Sequence, residues 1–147
     1  MTKLNIFQCV LLCLFTINVT TLNAQDKKST AIQNINQSTM MIRVSEIEII
    51  PAYLEEYNAI LREESSASVK IEPGVIAIYP MYQKENPNQI RILEIYAGQE
   101  AYKSHLQTPH FLHYKKNTLK MVKSLKLVDM ASLDPATMPL IFKKTIK

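Results

Sequence analysis

Histidine is the side chain whose ordinary pKa lets it exchange a proton near neutral pH, and here the histidines are concentrated. All three, His105, His110 and His113, fall within the stretch YKSHLQTPHFLHY between Tyr102 and Tyr114. Such a cluster can bind a metal ion, act as a general base, or cap a helix junction. His110 and His113 stand one helical turn apart, but no acidic residue or third histidine completes a set at a telling spacing. The pattern therefore argues against a metal site. Thr108 followed by Pro109 reads as an N-cap and first position of a helix, with His110 in the first turn. The positive end of a helix disfavours a second positive charge, so that position suits the neutral imidazole a general base requires. Either His105 or His110 is the expected base, or the pair only caps the junction; His113 is expected on the solvated surface.

Two glutamates join this reading through strand alternation. In RVSEIEI, Val44, Glu46 and Glu48 share one face; in QIRILEIYA, Ile90, Ile92, Glu94 and Tyr96 share one. With these two strands as central neighbours, Glu46 and Glu94 are expected together on one sheet face, inside a cavity. Arg43 and Arg91 are expected away from them. A carboxylate so placed needs a donor or a raised pKa.

The elements that must position these residues are legible in the same way. MIRVSEIEII is rich in Ile and Val and alternates, which predicts a first strand. Pro51 stops it, and from Ala52 to about Val69 the residues Leu54, Tyr57 and Leu61 recur at helical spacing. Glu72-Pro73-Gly74 predicts a turn in which the glycine accepts positive φ. VIAIYPMYQK is a second strand, ENPN (85–88) a loop, and QIRILEIYA a third strand. Gln99 to Leu106 is a short helix, and Pro109 to Val122 a longer one with Phe111, Tyr114, Thr118 and Met121 along one face. SLKLVDM (124–130) is the fourth strand, and the tail 132–147, broken by two prolines, carries no clear element. The order β-α-β-β-α-β is the split ferredoxin-like arrangement of an α+β domain. Both helices cover one sheet face, so the other is expected to need a second copy of the chain.

The ends and the composition narrow the classes further. Residues 1–24 have a short positive n-region, an apolar run from Leu4 to Val19 and a Leu22-Asn23-Ala24 cleavage site, the layout of a secretory signal peptide. An exported protein, periplasmic or secreted, with no lasting membrane anchor is expected. Residues 25–39 read as a flexible polar leader, and the folded domain as 40–131. Both cysteines, Cys9 and Cys13, lie in the signal segment, so the remaining chain has neither a disulfide nor a thiol nucleophile. The charge is mildly basic, 17 Lys+Arg against 13 Asp+Glu, and dispersed, which disfavours nucleic acid as partner. With only Gly74 and Gly98 in the chain there is no phosphate-binding glycine loop.

Taken together, RVSEIEI, EPGVIAIYP, RILEIYA, AYKSHLQTPHFLHY and VKSLKLVDM resemble the antibiotic biosynthesis monooxygenase domain, most closely its small quinol-monooxygenase-like members, over about residues 41–131. HLQTPHF (105–111) is the most specific element. The resemblance implies a dimeric α+β barrel and oxidation of a quinol or related phenol by O2 without a cofactor. In that setting His105 or His110 takes the phenolic proton, Glu46 or Glu94 orients the histidine or the substrate, and Tyr79, Tyr96, Phe111 and Tyr114 form an aromatic wall. Haem-degrading relatives carry an Asn and an axial His where this chain has Ile47 and Lys115, and they use a tryptophan that it lacks, so haem chemistry is disfavoured. A non-catalytic binder of aromatic or quinone-like molecules and an isomerase of the same superfamily are the alternative readings.

Overall fold

The structure is a computed structural model that describes residues 39–145. The expected signal peptide, and the leader as far as residue 38, lie outside the described residues. From Met41 the chain follows the expected order: β1 (Met41–Ile49), α1 (Leu54–Ile71), β2 (Val75–Gln83), β3 (Asn86–Tyr96), α2 (Gln99–His105), α3 (Pro109–Thr118) and β4 (Val122–Met130). Short 3-10 turns at Pro51–Tyr53 and Leu119–Met121 lead into α1 and β4. The second long helix thus ends earlier than its apolar spacing suggested, and its last apolar residue, Met121, is fully buried in the turn that follows. The four strands form one antiparallel sheet in the order β2-β3-β1-β4. Pro80, which cannot donate to a ladder, is tolerated because β2 is an edge strand.

Register decides what each face carries. Ile47 lies opposite Ile90, and Ser45 opposite Ile92. These residues, with Ile49 and Tyr96, are buried against Tyr57 and Leu61 of α1 and against Met121. On the opposite face Glu46 stands between Arg91 of β3 and Lys126 of β4, a cross-strand row of alternating charge. Tyr79, Met81 and Met130 are on that face by register and are exposed. Leu125 and Leu127 of β4 pair with Ile47 and Ser45, so they share the helix side, yet they too are exposed.

Two local expectations change. Gly74 does not adopt positive φ; no glycine among the described residues does. Its role is close approach, since a Cβ there would lie 2.5 Å from the Cβ of Ala101 in α2. The tail is not featureless: Pro135–Thr137 forms a 3-10 turn, and Met138–Thr145 forms a final helix, α4. The two prolines that argued against structure sit at or near the first turns of these elements, where a missing N–H costs little. Asp134 caps the start, its side chain accepting from the Ala136 amide at 3.1 Å.

Candidate active site

The histidine stretch is a helix junction, as Thr108 and Pro109 suggested. The Thr108 hydroxyl donates to the His105 carbonyl at 2.8 Å and accepts from the Phe111 amide, closing α2 and opening α3 with one side chain. This tight link brings His105 and His110 side by side, their ring centroids 6.4 Å apart. His105 is buried, its ring centroid 4.8 Å from that of Phe111 and 5.5 Å from that of Tyr96, tilted against both. His110 retains partial exposure. His113 points elsewhere, its ring beside Asn117 on the outer surface.

The carboxylates that meet these histidines are Glu72 and Glu64, neither of which strand alternation indicated. Oε1 of Glu72 accepts from Nδ1 of His105 at 3.0 Å and from Nε2 of His110 at 2.5 Å. Behind His105, its Nε2 stands 3.6 Å from Oε1 of Glu64, which also accepts from Ser68 at 2.8 Å. The chain Glu64–His105–Glu72–His110 thus runs from the core to the surface. Burial pushes the Glu64 carboxyl upward, and the Ser68 hydroxyl and the two histidines offset this only in part. Burial acts on Glu72 in the same sense, but hydrogen bonds from His110 and His105 outweigh it and hold that carboxyl below its ordinary value. A sequence signal existed for Glu64. On α1, Tyr57, Leu61, Glu64 and Ser68 are spaced as a buried stripe, and polar residues inside such a stripe call for partners. For Glu72 the signal was its turn, which Gly74 presses against α2.

The remaining candidates divide. Glu94 is on the helix side, where it accepts from Ser45 at 2.5 Å and from the Tyr96 hydroxyl at 2.9 Å. Glu46 is on the opposite face. The expectation that Glu46 and Glu94 share a face is therefore corrected: each strand's alternation was right, but the pairing aligns Ser45, not Glu46, with the face that bears Glu94. The arginines are corrected with them, since Arg43 lies opposite Glu94 and Arg91 opposite Glu46. Arg43 turns to Asp129 at 2.7 Å and lies over the Tyr102 ring. Of the expected aromatic wall, Tyr96, Phe111 and Tyr114 come together: Tyr96 and Phe111 flank His105, and Phe111 lies 6.3 Å from Tyr114. Tyr79 does not join them, because register puts it on the far face opposite Leu93, 61% exposed. Tyr114 instead pairs with Tyr57, hydroxyl to hydroxyl at 2.7 Å.

A cleft of about 530 Å³ opens where the Glu72-Pro73-Gly74 turn, α2 and the start of α3 meet. Glu72, His110, Ser104 and Thr108 give it polar groups, while Ile71 and Ala101 are among its apolar walls. The size suits a one- or two-ring molecule. The site can hold an acidic ligand group beside an imidazole backed by a carboxylate, the arrangement that orients a ring and strengthens it as a base. Glu72, His105 and His110 are also the group among the described residues able to converge on a metal ion.

A four-stranded antiparallel sheet covered on one face by helices, in ferredoxin-like order, defines an α+β domain. The antibiotic biosynthesis monooxygenase family matches residues 40–117, and the chain belongs to that family. A candidate antibiotic biosynthesis monooxygenase from Bacteroides thetaiotaomicron is 50% identical, with 69% of this chain covering 96% of that one at a TM-score of 0.68. A candidate monooxygenase from Lactobacillus acidophilus is 30% identical at a TM-score of 0.62, over 63% of this chain and 44% of that one. A Nitrosomonas europaea protein, 18% identical at a TM-score of 0.62 over 65% and 92% of the two chains, shares the fold. No curated protein matches the sequence. Among the described residues no helix is long and apolar enough to cross a membrane.

Proposed function

We propose that this protein oxidises a quinol or related phenol with O2, without a cofactor, and that the reaction takes place in the cleft at His110. The observation that carries the reading is the Glu72–His110 pair at the cleft, 2.5 Å between Oε1 and Nε2. With Nε2–H donated to Glu72, the lone pair of a neutral His110 is on Nδ1, and that atom takes the phenolic proton. Glu72 stabilises the imidazolium that results. The phenolate or hydroquinone anion is electron-rich enough to reduce O2 itself. One oxygen atom ends on the ring and the other leaves as water, the four electrons coming from the hydroquinone. The protein supplies orientation and a base. Glu72 thus takes the orienting role that the sequence suggested for Glu46 or Glu94. The signal-peptide layout of residues 1–24 supports an exported protein acting on a substrate outside the cytoplasm.

The test is oxygen uptake by the metal-stripped protein with a panel of hydroquinones, corrected for autoxidation. His110→Ala is expected to lower the enzymatic rate by about 10²–10⁴-fold, the usual worth of a general base. Glu72→Gln, which leaves a hydrogen-bond acceptor but no charge, is expected to lower it less. Uptake no faster than the blank, with a quinone analogue still bound in the cleft, would replace this reading with that of a binding protein.

A further inference from the structure

We propose that Glu72, His105 and His110 also form a binding site for one divalent transition-metal ion of the zinc or cobalt type. Three features of the cluster lead there. First, one ligand atom from each residue lies within 4.8 Å of the others, and both imidazole nitrogens face the same Glu72 oxygen, Nδ1 of His105 at 3.0 Å and Nε2 of His110 at 2.5 Å. Two imidazoles and a carboxylate are the donor set of an open zinc site, with metal–ligand distances of about 2.0–2.2 Å. Ligand atoms around such an ion stand about 3.3 Å apart in a tetrahedron. Both contacts to Glu72, the residue that follows α1, are shorter than that, so its carboxylate draws back from the two rings to admit an ion between the three ligand atoms.

Second, the far nitrogen of His105 is already backed. Its Nε2 lies 3.6 Å from the buried carboxylate of Glu64, which Ser68 in turn fixes at 2.8 Å. A carboxylate on the second ring nitrogen sets the tautomer and orientation of a ligating histidine and raises its basicity. Third, the cleft reaches Glu72 and His110, so water or an anion has access to the remaining coordination positions. The His110–His113 spacing that looked metal-like in the sequence is not involved, since His113 faces Asn117.

The ion and the proposed chemistry compete for one ring. With a metal on Nε2, the proton of neutral His110 is on Nδ1, and the base is lost. Metal loading therefore abolishes the hydroquinone-dependent oxygen uptake, but the ion's binding is read without any turnover. If oxygen chemistry is absent, the metal site stands or falls on its own measurement.

That measurement is a titration of the purified, metal-stripped protein with Co²⁺, followed by visible d–d absorption, and with Zn²⁺ by calorimetry. One ion per chain is expected, with the intense Co²⁺ bands of a four- or five-coordinate site. His110→Ala and Glu72→Gln are each expected to weaken binding at least tenfold, and Glu64→Gln, which touches no ion, by about 10–100-fold through the ring it orients. His113→Ala is expected to bind as the parent does. Melting curves accompany each variant, and if His110→Ala does not fold, Glu72→Gln decides. No Co²⁺ bands, or binding that survives His110→Ala and Glu72→Gln, or binding lost in His113→Ala, would overturn the site.

Discussion

Three tyrosines define the interior beside the histidine chain at the scale of single residues. Tyr57 and Tyr114 share a hydrogen bond across α1 and α3, and Tyr96 donates to Glu94. Burial pushes all three hydroxyls upward from their ordinary value of 10.0; for Tyr114 the hydrogen bond from Tyr57 offsets part of this, leaving it at about 12. A raised folded-state pKa means that the folded chain holds the proton more tightly than the unfolded one. The stability this contributes is complete below pH 10.0 and is lost as the pH climbs through about 12. For Tyr114 alone it amounts to roughly 3 kcal/mol. Chemical-denaturation curves between pH 9 and 12 are expected to show stability falling above about pH 10, with a shallower fall in Tyr114→Phe. An identical slope in parent and variant would remove Tyr114 from the account.

Elements act here mainly through their ends. The α2–α3 junction is closed by Thr108, and the α1–β2 turn by the contact of Gly74 with Ala101, so the two carboxylate-bearing and histidine-bearing segments are clamped against each other. Gly74→Ala would put a Cβ 2.5 Å from that of Ala101, and backbone must move to relieve it. The expected cost is about 1–3 kcal/mol, as for other overpacked sites. Because the turn also carries Glu72, whatever activity or metal affinity the cleft has should fall by more than the stability loss explains. Thermal melts beside cobalt titration separate the two. A variant as stable as the parent, with unchanged affinity, would show that the turn is not clamped.

The whole molecule presents apolar side chains that its own helices leave uncovered. Tyr79, Met81 and Met130 lie on the sheet face away from the helices, and Leu125 and Leu127 at the β4 edge are exposed on the helix side. The homodimer expected from the sequence would use the first group: a second copy related by a two-fold axis would bury them against their equivalents. Sedimentation at micromolar concentration should give the mass of two chains. Tyr79→Asp combined with Met81→Lys should give one chain, with the domain still folded by circular dichroism. A parent protein that sediments as a single chain would dismiss the dimer and leave those side chains to another partner.

The sequence by itself determined the element order from β1 to β4, the capped junction at Thr108-Pro109 and the gathering of the histidines, because periodicity, capping and turn chemistry act over a few residues. It also showed which residues of each strand alternate together. Which of those sets share a face was decided only by tertiary structure. Side chains alternate with a period of two, so the pairing of Ser45 with Ile92 sends Glu46 to one face and Glu94 to the other; a one-residue slip would have reversed it. The carboxylate partners of the histidines were hidden for the same reason. Glu72 lies 33 residues from His105 and 38 from His110, and no local pattern carries a contact of that span. It exists because α1, its terminal turn and the α2–α3 junction pack on one sheet, which brings a buried glutamate and a turn glutamate against two imidazoles.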